Sequence, residues 1–374
     1  MNSLDTSAKT LDGTPATASR PADGDLEPAP EAQTTSAPPA LRLLVLGGTS
    51  WLGGTVADLA RRRGHEVTCL ARGFSGAVPG QVRHVVADRW QDGAYDGVAD
   101  SDWDAVLDLT WQPELARSAL SALATRAAHW ILVSSCSVYA DHGTPGHDES
   151  AAVVDGWTGR GEAPIEEYGA AKVSCETASR DAVQADRLLI ARAGLIAGYG
   201  DTSDRFGYWP ARFATESHGA VLVPPLDGPV QVVDVADLAR WLVLCAESRT
   251  AGTVDAVGEP HVFRDVLEAC VTATGNGSPI VESSDPWLQE REVSPWMGPE
   301  SLPLWLPRPD YAGLMARSNT AATASGLTTR PLGDTVDDSL RWEVELGLHR
   351  ARKAGLSPER ERSLVAALGG PATE

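Results

Sequence analysis

The chain has 374 residues, 43% of them hydrophobic and 22% charged, which is enough apolar material for one large folded body or two smaller ones. A formal net charge of −20 opposes nucleic acid and anionic membrane surfaces, and no run of about 18 apolar residues suggests a membrane span. Five cysteines without a CxxC pair or a metal-like cluster read as reduced thiols of a cytoplasmic protein with no metal site, and residues 1–40 lack the apolar stretch of a signal peptide.

Residues 1–39, rich in Ala, Pro, Thr, Asp and Glu, read as a disordered tail. Order is expected from Leu41, with a strand at Leu41–Leu46 and a helix at Trp51–Arg63. Strands follow at Glu66–Leu70, Val82–Val86, Ala105–Leu109 and Trp130–Ser134, with a helix over Glu114–Ala127 before the last. Ile165–Ala182 reads as a helix and Arg187–Arg192 as a sixth strand. This alternation implies parallel βαβ units, so residues 40–260 are expected to form an α/β, Rossmann-type doubly wound parallel sheet. After Gly198 the pattern loosens and Gly, Pro and Trp become frequent. Val230–Val233, the helix Val235–Ala246 and the strand Thr253–Val257 still look like core. Residues 199–228 and 261–346 are assigned to a smaller C-terminal substrate-binding lobe, and 347–374 to a helical tail. Late helices fall at Gly333–Leu346 and Ser357–Leu368, and there is no internal repeat.

The run Gly47-Gly48-Thr49-Ser50-Trp51-Leu52-Gly53 leaves a strand and opens a helix, the setting a dinucleotide-binding turn needs. Gly47 makes the tight turn, Gly53 lets the helix pack on the sheet, and the helix N-terminus offers N–H groups to a pyrophosphate. Ser50 holds the middle position where such turns carry glycine. At the end of the second strand Ala71 and Arg72 stand where an acidic residue would hold the ribose 2′-hydroxyl of NAD. A cation without a carboxylate favours the 2′-phosphate of NADP, with NAD the alternative. Asp88, after the third strand, is placed beside the adenine or in an ordinary turn.

Of 31 basic residues only three are lysine, leaving 28 arginines, and Lys172 is the one lysine far from either chain end. It lies four residues after Tyr168, on the same helical face. A nearby ammonium favours the phenolate, which makes Tyr168 a usable acid or base. From six tyrosines and three lysines only about 0.05 such pairs are expected by chance. The fifth strand ends in Ser134, Ser135 and, two residues on, Ser137. A hydroxyl there suits a substrate carbonyl, and spacing alone does not choose among the three.

These residues resemble the short-chain dehydrogenase/reductase superfamily in its extended epimerase/dehydratase branch. The likeness covers about residues 41–260. It is carried by Gly47–Gly53, Ser134–Tyr139, Tyr168 with Lys172, Arg192–Ile196 and Val232–Leu238. Aligned on Val138-Tyr139, it implies Ser135 as carbonyl-orienting donor, Tyr168 as acid/base and Lys172 as ribose ligand. The implied activity is hydride transfer between nicotinamide and a carbonyl/alcohol carbon of a small molecule, by a monomer or homodimer. The resemblance also has departures. Cys136 and Ser137 replace the Asp-Glu of the 4,6-dehydratases, and Val230 stands where nucleotide-sugar epimerases carry a diphosphate-gripping arginine, for which Arg212 is a substitute. The Gly-Gly-Thr-Ser turn is closer to atypical members. The readings carried forward are an NADP-preferring reductase, an epimerase that keeps its cofactor, and a non-catalytic dinucleotide-sensing or RNA-binding module.

Twelve tryptophans are many. Trp111, Trp209, Trp287, Trp296 and Trp305 fall in segments that can face the cleft, although core packing is the commoner use of a tryptophan. His142 and His147 sit in a polar loop after the fifth strand, where solvated histidines are common.

Overall fold

A computed structural model describes residues 39–74, 76–215 and 219–369. The tail expected over 1–39 lies outside the described residues except for Pro39. The chain runs β1 (Arg42–Leu46), α1 (Trp51–Arg62), β2 (Glu66–Ala71), β3 (Arg83–Val86), β4 (Ala105–Asp108), α2 (Pro113–Leu123), β5 (Trp130–Ser135), α3 (Tyr168–Ala182) and β6 (Leu188–Ala193). Then come β7 (Leu195–Ala197), α4 (Tyr208–Ala214), β8 (Val221–Val223), β9 (Pro229–Asp234), α5 (Val235–Ser248), β10 (Gly252–Ala256), β11 (Pro260–Val262) and α6 (Phe263–Thr274). The last elements are β12 (Ile280–Glu282), α7 (Asp285–Glu290), β13 (Ser294–Trp296), β14 (Ser301–Pro303), α8 (Thr320–Ala324), α9 (Leu332–Leu346) and α10 (Pro358–Ala367).

Seven strands form one parallel sheet in the order β3-β2-β1-β4-β5-β6-β10. The order reverses between β1 and β4, the Rossmann-type switch point at whose carboxyl edge such sheets bind ligands. Alternation along β1 explains why both faces are covered. Leu43 and Val45 enter a core shared with α1 and α5, while Leu44 and Leu46 point the other way, into a core shared with α2. On α5 the buried Leu238, Leu242 and Cys245 recur at helical spacing and lie against α1.

Three small sheets, β11-β9-β7, β12-β8 and β13-β14, lie outside the main one. A separate apolar core gathers Phe206, Trp209 and Phe213 from α4 and its approach, Phe263 and Leu267 from α6, Val336 from α9 and Leu364 from α10. Trp209 and Trp305 are buried there as packing, each with its indole N–H satisfied, by the carbonyl of Pro303 and the carboxylate of Asp285.

Two expected elements change shape at their ends. α2 stops at Leu123, because the chain turns there to bring Ala127 alongside Trp103. Residues 165–167 form a 3-10 turn after Pro164, so Tyr168 opens the α-helix instead of sitting in its second turn.

Candidate active site

The dinucleotide turn is built around two glycines and a serine. Gly47 has φ +95°, a left-handed backbone that a side chain strains, and its N–H donates to the carbonyl of Leu70 at 2.9 Å. A Cβ on Gly53 would stand 2.3 Å from the carbonyl oxygen of Gly47, so only glycine lets the helix start this close. Ser50 is the N-cap of α1. Its hydroxyl donates to the carbonyl of Gly47 at 2.7 Å and accepts from the amide of Gly53 at 3.2 Å. A serine at the middle position therefore stabilises the turn. Among the described residues the amides of Thr49, Trp51 and Leu52 carry no hydrogen bond, and the first turn of α1 holds no acidic residue. These free donors at the positive end of a helix fit a pyrophosphate. The indole N–H of Trp51 reaches away from the turn, to the carbonyl of Tyr199 at 2.8 Å.

Beside the turn lies a cavity of about 200 Å³ lined by Gly47, Thr49, Ser50, Arg72, Asp88 and Thr110, among others. Arg72 is exposed, lies 5.6 Å from the ring centroid of Phe74, and pairs with no carboxylate among the described residues. Asp88 accepts the amide of Trp90 at 3.1 Å, a turn role that leaves its second oxygen open. Arg89, not singled out in the sequence, grips Asp108 with both Nη groups at 2.8 and 3.0 Å and donates to the carbonyl of Leu115. Burial works against its charge, and Asp108 more than reverses that, holding the guanidinium above its usual range.

The three residues singled out for chemistry converge at the carboxyl end of β5. Lys172 is 3% exposed, and its ammonium donates to the carbonyls of Thr110, at 2.8 Å, and Val133. An ammonium has three protons, so one remains for a ligand. Its nitrogen lies 6.0 Å from the Tyr168 ring centroid. The half-buried Tyr168 packs at 5.5 Å against Trp111, and its phenol has no partner among the described residues. Of the three serines, Ser134 is buried and donates to Glu176 at 2.6 Å, which leaves it unavailable. Ser135 is half-buried and caps the turn 136–138, accepting from the amide of Ser137 at 3.1 Å and donating to its hydroxyl at 3.2 Å. Helix α3 presses on that turn. A Cβ on Gly169 would lie 2.3 Å from the carbonyl oxygen of Ser137.

Beneath the site runs a buried network that the sequence did not disclose. Arg192 holds Glu176 at 3.0 and 2.8 Å and donates to the phenol of Tyr139 at 2.9 Å. Tyr139 donates to Asp255, which Arg317 grips at 2.6 Å. The Arg317 guanidinium stacks on the Tyr139 ring, 3.4 Å from its centroid. The network joins β5, α3, β6 and β10 to a segment from far along the chain, and so fixes the strand end that carries Ser135. Burial would raise the Glu176 carboxyl, but Arg192 and Ser134 hold it below the usual carboxylate range.

Of the tryptophans expected to face the cleft, Trp111 flanks Tyr168 and Trp296 lies 5.2 Å from the guanidinium of Arg205. Trp287 packs instead beside the second core under Arg291. Arg212 cannot replace the missing diphosphate arginine, because it is buried against Glu361 at 2.7 Å and the carbonyl of Ala220. His142 stacks on Tyr311, and the loop around it and His147 bonds to residues 313–318. Among the described residues no His, Cys, Asp and Glu group could hold a metal ion, and no helix is long and apolar enough to cross a membrane.

The sequence profile of the NAD dependent epimerase/dehydratase family matches residues 43–258, more than half of the chain. The chain belongs to the NAD-dependent epimerase/dehydratase family. This is a family of enzymes, and the match spans the turn, Ser135, Tyr168, Lys172 and the parallel sheet. One relative within reach is the 2′-dehydrokanamycin reductase of Streptomyces kanamyceticus, 30% identical over 236 residues. That stretch is 61% of this chain and 60% of the relative, so the chain aligns with less than two thirds of that protein. Two solved structures share the fold. The UDP-glucuronic acid 4-epimerase of Bacillus cereus, in complex with NAD, aligns with a TM-score of 0.60 at 13% identity, over 82% of this chain and 99% of that one. The Bordetella bronchiseptica enzyme WbmG, in complex with NAD and UDP, aligns with a TM-score of 0.61 at 15% identity, over 83% and 98%.

Proposed function

We propose that this member of the family is an NADP-preferring oxidoreductase acting on a carbonyl/alcohol pair of a small molecule, with Tyr168 as acid/base. The observation that carries this reading is the meeting of a free phenol, a buried ammonium with a spare proton and the Ser135 hydroxyl at the carboxyl end of β5, beside an unsatisfied helix N-terminus. When bound, the dinucleotide supplies or accepts the hydride. The amides of Thr49, Trp51 and Leu52, with the turn of Gly47, Ser50 and Gly53, would hold its pyrophosphate. Arg72 would pair with a 2′-phosphate, Asp88 would flank the adenine, and Lys172 would hold a ribose hydroxyl. Ser135 turns its hydroxyl from Ser137 to the substrate oxygen and polarises the carbonyl. Tyr168 gives that oxygen its phenolic proton in reduction and takes it back in oxidation, while the Lys172 charge offsets the phenolate. Dehydration is disfavoured, because Cys136 is buried with its thiol on the carbonyl of Arg192 and Ser137 carries no carboxylate.

The test pairs NADPH consumption across a panel of carbonyl substrates with the variant Tyr168→Phe. The expected result is turnover by the wild type that the variant loses, with NADPH affinity retained. A variant that turns over like the wild type would remove Tyr168 from the chemistry, whereas a wild type that binds NADPH and turns over none of the panel would favour the sensing module. Product formed with the cofactor's redox state unchanged would replace reduction by epimerisation.

A further inference from the structure

We infer that Gln112 is a positioning residue for the reaction: its side-chain amide pins Ala163 and so sets Tyr168, at the start of α3, against the segment that holds Lys172. The inference rests on the reading of Tyr168 given above and adds what places its phenol. Gln112 is the N-cap of α2, yet its side chain makes no cap bond. Buried at 5% exposure, it turns instead to the backbone of Ala163, itself 1% exposed. Nε2 donates to the Ala163 carbonyl at 3.1 Å, and Oε1 accepts the Ala163 amide at 2.8 Å. Both backbone groups of a buried residue 51 positions away are thereby satisfied, as a neighbouring strand would satisfy them.

Tyr168 depends on that pin because little else holds the chain leading to it. Residues 164–167 are all exposed, Ile165 by 64%. Glu167, the N-cap of α3, makes no side-chain cap bond. A helix start with neither a cap nor packing beneath it frays. The last buried residue before Tyr168 is Ala163. On its other side Gln112 continues into the segment that carries both neighbours of the phenol. The ring of Trp111 lies 5.5 Å from that of Tyr168, and the Thr110 carbonyl takes the Lys172 ammonium at 2.8 Å. The Gln112 amide donates to the Thr110 hydroxyl at 3.1 Å, and the Thr110 amide donates to Asp108 at 3.0 Å, which Arg89 grips. Residues 110–112 are thus held at one end by the Arg89–Asp108 pair and at the other by Ala163. A spacer fixed at both ends sets how far the start of α3 stands from the end of β4, and a misplacement of about 1 Å there costs on the order of a hundredfold in turnover.

The ligand-free protein tests the placement directly. Ring-labelled tyrosine gives six side-chain NMR signals, and Tyr168→Phe identifies the one from Tyr168. Gln112→Met, apolar and of similar length, should shift that signal and leave those of Tyr139, Tyr199, Tyr208 and Tyr311 in place. Gln112→Asn is a methylene too short to make both bonds to Ala163, but asparagine caps a helix well, so it should shift the same signal without weakening α2. Ser174→Ala removes the bond from Ser174 to the Trp157 carbonyl, another tie on the same loop, and should leave the Tyr168 signal where it is. Turnover carries the test to the reaction, with the carbonyl compound of the panel that the wild type reduces fastest. Gln112→Asn should lower kcat at least about tenfold, with KM and NADPH affinity within about twofold of wild type. A Tyr168 signal unmoved by both variants, an equal shift in Ser174→Ala, or a loss that falls on KM or NADPH affinity with kcat intact would each overturn the inference. A wild type that reduces nothing, or a Tyr168→Phe that turns over normally, removes the reading beneath and with it the role in the reaction, while the ring signal still decides whether Gln112 places Tyr168.

Discussion

Replacing Arg317 with methionine isolates the buried charge pair that closes the network under the site. At 2.6 Å the gross attraction between Arg317 and Asp255 is roughly 6 kcal/mol for an effective dielectric constant of about 20. Much of that is spent on desolvation, since the two side chains are 1% and 0% exposed. Removing the cation leaves Asp255 buried beside the Tyr139 hydroxyl and near the Glu149 carboxylate. The expected loss is about 3–5 kcal/mol near neutrality, the usual consequence of an uncompensated buried charge. Methionine still covers the Tyr139 ring, so packing accounts for little of it. Burial already holds the Asp255 carboxyl above its ordinary range, and losing Arg317 raises it further. A carboxyl raised by folding stabilises the fold fully below its unfolded pKa, and this contribution is lost as pH rises through the folded value. The deficit of Arg317→Met should therefore be largest at neutral pH and shrink towards about pH 5. Urea unfolding followed by far-ultraviolet circular dichroism at both pH values measures it. Adding Asp255→Asn should recover most of the loss. A deficit under about 1 kcal/mol, or one that grows on acidification, would refute the reasoning.

Arg72→Ala should weaken NADPH binding at least about tenfold and NADH binding far less, as read by cofactor fluorescence; equal effects would remove the case for NADP. Gly169→Ala sets a methyl 2.3 Å from the Ser137 carbonyl oxygen, where ordinary contact begins at 3.4 Å, so α3 and the turn bearing Ser135 must part by about 1 Å. Such a displacement costs on the order of a hundredfold in turnover, while alanine's better helix propensity, about 1 kcal/mol, offsets much of the strain in the melting temperature. Turnover near the wild-type rate would show that this contact does not position Tyr168. Glu176→Gln should destabilise by about 3 kcal/mol near neutrality. The Glu176 carboxyl is lowered in the fold, so the stability it adds is present above its unfolded pKa and lost as pH falls through the folded value, and the gap to wild type should close in acid. A gap constant with pH would assign the effect to packing alone.

The sheet was legible because its strands are apolar on both faces and bounded by turn residues, so β1, β2, β4, β5 and β6 fall within a residue or two of their expected places. The helix over Phe263–Thr274 escaped notice although Phe263, Val266, Leu267 and Cys270 show its spacing. α4 gave no periodic signal, being seven residues long with Pro210 inside it. Tyr168 and Lys172 stood out because they are four apart on one helix. Arg317 did not, because its meaning depends on contacts with Tyr139 and Asp255 from other parts of the chain. The choice among the three serines needed the fold as well, since only the buried Glu176 removes Ser134.

The indole of Trp51 spans two surfaces that otherwise share no backbone: the first residue of the helix that faces the pyrophosphate turn and the loop that ends in Arg205. Anything that shifts one end of that 2.8 Å bond is felt at the other. Thermodynamic reciprocity then demands symmetry. If an occupied turn tightens or loosens the grip on the substrate by some factor, the substrate changes the grip on the dinucleotide by the same factor. Each ligand would then prepare the seat of the other to the same degree, through a single side chain placed between them.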